Sequence, residues 1–186
     1  MSNCNENIRK MLEFNAEFVE SGAYKDYQAD KFPKKKVAIF TCMDTRLVTL
    51  LPAALGLKNG DVKMIKNAGA VIDNPFDSVM RSVLIAVYEL GVEHVMVVAH
   101  TTCGVQGMKA EEMMHLMKER GIKEETLTTL RNAGIDLDKW LTGFDETESA
   151  VMRTVSLIKN HPLLPSDIEV TGYIMETDTG RLNPIG

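Results

Sequence analysis

Several common protein classes are excluded by what this sequence has little of. It has three cysteines in 186 residues, an odd number, and none is spaced like the disulfide framework of a secreted domain. It has no excess of positive charge. The net charge is -5, and the only basic block, Lys34-Lys35-Lys36, reads as a solvated lead-in to a strand. That argues against nucleic acid as a partner. No apolar run approaches the length of a membrane span, so no membrane partner is expected. The first residues, Met1-Ser2-Asn3-Cys4-Asn5-Glu6, carry neither a charged n-region nor an apolar h-region. The expectation is a cytoplasmic protein in a reducing compartment, with Cys4 an incidental free thiol.

What remains is an ordinary globular balance, with 45% apolar and 25% charged residues. The length suits one domain over residues 1–186 with a sizeable core. No repeat, low-complexity tract or linker divides it. Residues 1–32 read as an amphipathic helical arm, with Ile8, Met11, Leu12, Phe14 and Val19 at helical spacings and a stop at Ser21-Gly22-Ala23. Strands are expected at Val37–Thr41, Val62–Lys66, His94–Ala99 and Ile168–Met175. Helices are expected from Leu47, from Asn74-Pro75, over Gly104–Arg120 and over Asp145–Asn160, with shorter pieces between Gly121 and Gly143. Met108, Met113, Met114 and Met117 read as core filler, and Val151, Met152, Val155 and Leu157 as an inward face. Strands alternating with helices predict an α/β fold with a mostly parallel central sheet flanked by helices.

Two polar clusters stand directly after apolar strands. Cys42-Met43-Asp44-Thr45-Arg46 follows the first, and His100-Thr101-Thr102-Cys103 follows the third. In an open parallel sheet, ligands bind beyond the carboxyl ends of the strands. Such a cluster after an apolar strand is costly unless it meets a partner, and each cluster offers the other one. Two thiolates and one imidazole form a zinc set with one position open, the mark of a catalytic rather than a structural site. Cys42, His100 and Cys103 are therefore the candidate ligands of one Zn2+ per chain. Gly69, in the loop after the second strand, is a candidate for close backbone approach, or an ordinary turn glycine. His94, His115 and His161 read as structural or solvated, since His94 lies at the far end of its strand from His100.

The two clusters resemble the signature of the β-class carbonic anhydrases, Cys-x-Asp-x-Arg followed later by His-x-x-Cys-Gly. Asn67-Ala68-Gly69-Ala70, Gly172-Tyr173 and Thr179-Gly180-Arg181-Leu182 are similar too, so the likeness runs from about Lys36 to Leu182, in the compact branch of the family. The resemblance implies reversible hydration of CO2 to bicarbonate and a proton, by attack of zinc-bound hydroxide on CO2. It implies that Asp44 accepts a hydrogen bond from the zinc-bound water, and that Arg46 keeps Asp44 ionised and aimed through its planar fork. In a closed state of some members the aspartate swings onto the metal, which would make Asp44 a fourth ligand. The inhibited form there involves a tryptophan. The single tryptophan here, Trp140, lies far from both motifs, so an open site is expected. Val71, Ile72 and Phe76 are candidates for the wall of a small apolar CO2 pocket. The arm and the family's habits imply a homodimer or higher homo-oligomer. Activity is expected to rise with pH, with protonation of Asp44 among the causes of loss at low pH.

Three rival readings use the same residues. A related zinc hydrolase could act on CS2 or COS. A non-catalytic zinc module would keep the ligands but would not need Asp44 and Arg46. A thiol redox protein using Cys42 and Cys103 would leave His100 and Arg46 unexplained, and has no Cys-x-x-Cys.

Overall fold

A computed structural model describes the backbone of residues 3–186 and the side chains from residue 5 onward; the thiol of Cys4 lies outside the described residues. Helix α1 spans Asn3–Glu20 and is followed by a 3-10 turn, Ala23–Tyr27. Strands β1 (Val37–Cys42), β2 (Val62–Asn67), β3 (His94–His100), β4 (Glu169–Met175) and β5 (Leu182–Ile185) form one sheet. Helices α2 (Leu47–Ala54), α3 (Ser78–Tyr88), α4 (Ala110–Glu119), α5 (Glu124–Asn132), α6 (Leu137–Leu141) and α7 (Thr147–Lys159) complete the chain.

The strand order is β2-β1-β3-β4-β5. The first four strands run parallel, and β5 returns antiparallel on β4. The chain leaves β1 toward β2 on one side, then crosses to β3 on the other. The crevice beyond the carboxyl ends of β1 and β3 is thus the topological switch point, where α/β sheets bind ligands. The central strands are buried on both faces, as in a covered parallel sheet. Ile39, Phe40, Val95, Val97 and Val98 lie in the main core with Leu47 and Leu51 of α2, Met80 and Val83 of α3, and Val151 and Ile158 of α7. Ala110, Met114, Leu127, Leu137 and Leu141 form a second, smaller core among α4, α5 and α6. The methionines of α4 serve there as expected, Met114 within and Met113 and Met117 against it.

Five local expectations change. The helix expected from Asn74-Pro75 begins at Ser78. Asn74 makes a turn of its own by accepting from the Phe76 N–H, and Asp77 caps the helix by accepting from the Met80 N–H at 2.7 Å. Two competing caps stand in sequence, and the later one starts the helix. The helix expected from Gly104 begins at Ala110. Gly107 has φ 72°, which no helix accepts, and the Met108 carbonyl is taken by the Gly143 N–H at 2.8 Å. Gly143 must be a glycine: a Cβ there would lie 1.8 Å from the Val105 carbonyl oxygen. On α7, Met152 faces solvent and Thr154 is buried in its place. Strands β1, β2 and β3 each extend one residue further than expected, to Cys42, Asn67 and His100. Finally, Leu182 opens β5 where only a turn was expected; its Pro184 is tolerated because the strand is an edge.

Candidate metal centre

The site is assembled by two strand ends and a loop. Cys42 closes β1 and pairs with Asn67, the last residue of β2. The Met43 N–H donates to the Asn67 carbonyl at 2.8 Å, which holds the chain extended for one residue past the thiol. Asp44 then turns it. Its Oδ1 accepts from the Arg46 backbone N–H at 2.9 Å, and its carbonyl accepts from the Leu47 N–H at 3.1 Å at the start of α2. The polar cluster is thus the turn between strand and helix, a place where short acidic side chains bond their own backbone.

His100 closes β3 and is fully buried. Its Nδ1 lies 2.9 Å from the Thr101 carbonyl oxygen, which can only accept. Nδ1 therefore carries the proton, and Nε2 holds a free lone pair. That Nε2 is buried without a hydrogen-bond partner, an arrangement that is costly unless a ligand completes it. The Cys42 and Cys103 Sγ atoms are 4.0 Å apart, and all three ligand atoms lie within 4.8 Å of one another. A tetrahedral zinc with bonds of about 2.3 Å to sulfur needs its sulfurs about 3.8 Å apart. The residues present fit such a metal: the donors are soft, close to the required spacing, and one is otherwise orphaned. Among the described residues this is the one cluster of that kind.

The surroundings prepare the thiols. Burial opposes ionisation of Cys42, but the His100 imidazole and the N–H groups of Gly69 and Asp44 outweigh it and bring its pKa down to about 7. The Gly69 N–H donates to Cys42 Sγ at 3.3 Å, so the close approach expected of that glycine occurs. Gly69 has φ 84°, and a Cβ there would come within 3.1 Å of Phe144. Burial pushes the Cys103 thiol up, and the neighbouring Cys42 adds to that. Burial works against protonation of His100, yet Cys42 and the Thr101 carbonyl raise its pKa above the usual value.

Asp44 and Arg46 stand together beside this cluster. Arg46 Nε donates to Asp44 Oδ1 and Nη2 to Oδ2, each at 2.9 Å, the bidentate fork expected. The fork holds the Asp44 carboxyl well below the usual carboxylate range. Protonation of Asp44 is therefore no part of an acid-side loss near neutral pH, contrary to expectation. Asp44 Oδ2 is 3.7 Å from His100 Nε2. Since Oδ1 already accepts two hydrogen bonds and Oδ2 one, the spare acceptor is on the oxygen nearest the imidazole. The outer edge of Arg46 is also engaged, with Nη1 donating to Thr102 Oγ1 at 2.8 Å and Nη2 to the Thr102 carbonyl at 2.9 Å. Thr177, after β4, accepts from Nη1 at 3.5 Å and is tied to Thr101 by its own N–H. No sequence pattern pointed to Thr102 or Thr177.

The three other histidines lie outside the ligand cluster. His94 bonds Thr171 at 2.7 Å at the other end of β3, His115 faces Glu119 on the surface of α4, and His161 lies 2.9 Å from the Pro75 carbonyl oxygen. Ile72 lies in the main core, as Cys42 and Cys103 do, and Val71 packs against it. Phe76 is 73% exposed and packs edge-on against His161. Trp140 lies exposed on α6, in a surface groove with Asp73, Asn74 and Pro75.

Comparison with known proteins agrees with this geometry. A family model described as carbonic anhydrase matches residues 37–182. The chain is 49% identical to "Putative carbonic anhydrase YvdA" of Bacillus subtilis, over 96% of this chain and 90% of that one. It is 30% identical to a carbon disulfide hydrolase of Acidithiobacillus thiooxidans, over 84% of this chain and 75% of the other. The crystal structure of β-carbonic anhydrase isoform I from Trichomonas vaginalis superposes with a TM-score of 0.88 at 30% identity, covering 100% of this chain and 98% of that one.

Proposed function

The chain belongs to the β-carbonic anhydrase family, and from that premise we propose that it catalyses the reversible hydration of CO2 at one zinc held by Cys42, His100 and Cys103. The observation that carries the reading is the orphaned His100 Nε2, buried beside two thiols and bordered by the Asp44–Arg46 pair. Zinc, when bound there, supplies a Lewis acid that makes water a nucleophile near neutral pH.

The chain's own groups do the rest. Cys42 and Cys103 bind as thiolates, and the Gly69 N–H steadies the first of them. The Thr101 carbonyl fixes the His100 tautomer, so that Nε2 faces the ligand cluster. Arg46 keeps Asp44 ionised, which makes the carboxylate an acceptor only. Asp44 Oδ2 can then accept a hydrogen bond from an incoming O–H and leave an oxygen lone pair directed at the carbon of CO2. With its carboxylate on Arg46, Asp44 serves as an orienting group and leaves the fourth ligand position free, the open form of the site.

A stopped-flow CO2 hydration assay on the zinc-loaded protein tests this reading. Catalysed hydration well above the buffer rate is expected, and a rate equal to buffer would defeat it. A second reading is favoured by one comparison, the 30% identity to a carbon disulfide hydrolase. The same polarised water would attack CS2 or COS. The higher identity to a chain named as a carbonic anhydrase favours CO2, and release of sulfide from CS2 at a greater kcat/KM than CO2 hydration would reverse the preference.

The working molecule is a homodimer or higher homo-oligomer. The support is the exposed apolar stripe of α1, Ile8, Met11, Leu12, Phe14 and Val19. Sedimentation of a monomer at micromolar concentration would refute it.

A further inference from the structure

The Asp44–Arg46 pair is held from its outer side by a spacer residue of the second motif, Thr102. Arg46 has five N–H donors, and every one has an acceptor. Nε and one hydrogen of Nη2 go to Asp44, the other Nη2 hydrogen to the Thr102 carbonyl, and the two of Nη1 to Thr102 Oγ1 and Thr177 Oγ1. The pair is not deeply buried, with 43% of the Arg46 side chain accessible. A half-exposed ion pair is by itself a weak constraint on geometry. An anchor on the far side of the guanidinium is what would turn it into a fixed one.

The backbone at Thr102 sharpens the point. Its φ is 54°, in the left-handed region where a β-branched residue is an outlier. A glycine would take that conformation without strain and would present the same carbonyl to Arg46. What glycine would lack is the hydroxyl, and that hydroxyl makes the shorter of the two contacts. An observed backbone outlier of this kind, beside a reactive centre, is a reason to look for a functional constraint.

We propose that Thr102 is the positioning residue of the Asp44–Arg46 pair: its hydroxyl and carbonyl set the plane of the Arg46 guanidinium and, through it, the direction of Asp44 Oδ2. Thr102 stands between His100 and Cys103, so the pair takes its position from the same segment that supplies two ligand atoms. The inference rests on the proposed reading of the site for its kinetic consequence, but not for its geometry.

The test compares Thr102→Val, which keeps the shape and the strain but loses the hydroxyl, with Thr102→Ser, which keeps the hydroxyl, and Thr102→Gly, which keeps the carbonyl without strain. On the zinc-loaded proteins one measures solvent exchange of the Arg46 Nε–H by nitrogen-edited NMR, zinc affinity by chelator competition, and kcat and KM for CO2 hydration. Thr102→Val should speed Nε–H exchange and lower kcat by about tenfold each, the scale of one hydrogen bond to a charged group. KM and zinc affinity should stay within about twofold, Thr102→Ser should restore both losses, and Thr102→Gly should share them while melting no lower than wild type. Wild-type exchange in Thr102→Val overturns the proposal. So does a loss of zinc in step with activity, which would make Thr102 a support for the ligand loop. If wild type shows no CO2 hydration yet the exchange pattern holds, the functional reading fails and the positioning role stands.

Discussion

The carboxyl ends of β1 and β3 and the helix α1 are both rich in apolar side chains, and the fold treats them in opposite ways. In β1 every residue from Ala38 to Cys42 is buried, and in β3 so is every residue from Val97 to His100. On α1, Met11, Leu12 and Phe14 are 69%, 65% and 69% exposed. Composition does not separate them; backbone hydrogen bonding does. A strand needs neighbours to satisfy its N–H and C=O groups, and those neighbours bring helices that cover both faces. A helix satisfies its own backbone and can stand without cover. The buried region can therefore hold polar ligand atoms in fixed places, while the bare one is left exposed, the face on which the proposed oligomer rests.

The largest effect should come from cutting one large side chain in each region. Phe40→Ala should cost about 3–5 kcal/mol in chemical denaturation, while Phe14→Ala, measured on the monomeric fraction, should stay within about 0.5 kcal/mol. Equal losses would mean that α1 is packed on its own domain. The ligand cluster comes next. Zinc sites of four ligands bind with roughly 10–16 kcal/mol, so Cys103→Ser should weaken zinc by about two to three orders of magnitude. Full zinc content and affinity after dialysis against a chelator would remove Cys103 from the ligand set, and the same assay on Phe14→Ala should show no change.

Asp44→Asn keeps the size of the side chain but ends its acceptor-only character. It should keep zinc and lose about 100-fold in kcat for CO2 hydration, the scale of a lost hydrogen bond to a charged group. A variant that loses its zinc would make Asp44 a standing ligand instead. The smallest effect, taken per pH unit above 7, is in the pH dependence. Zinc must displace the protons of its ligands, and free Cys103 is held protonated by burial. Zinc affinity should thus fall about tenfold per pH unit below the Cys103 pKa, which burial raises above the usual thiol value. The fall should steepen below 7, where Cys42, with its pKa of about 7, also takes up a proton. Activity should follow it, rising from pH 6 to 9, and Asp44 should stay ionised throughout because Arg46 depresses its pKa. A flat zinc affinity, measured by chelator competition over that range, would mean that the thiols do not bind as thiolates.

Much of the centre was legible in the order of residues. Each ligand cluster follows an unbroken apolar run, and the spacing of Asp44 and Arg46 suits a turn that brings a carboxylate onto a guanidinium. Less was legible where two local signals compete. Asn74 and Asp77 are both good caps, and the contact of the His161 ring with the Pro75 carbonyl oxygen accompanies the choice of the second. Gly107 and Gly143 mark a loop where periodicity suggested continuous helix, because the Met108 carbonyl meets a partner far along the chain. The bare stripe of α1 was visible as a period, but a period does not say whether anything lies against it.

By itself the sequence determined the candidate donor atoms, the strands that precede them and the parallel class of the sheet, since these follow from residue type and local pattern. Tertiary structure alone decided that β1 and β3 are neighbours with β2 outside them, that the Gly69 N–H reaches the Cys42 thiol, and that Thr102 anchors Arg46. Those contacts join residues 27 and 56 positions apart. A hydrogen bond at such a separation leaves no periodic trace in the chain, and it exists only because the sheet brings its two ends together.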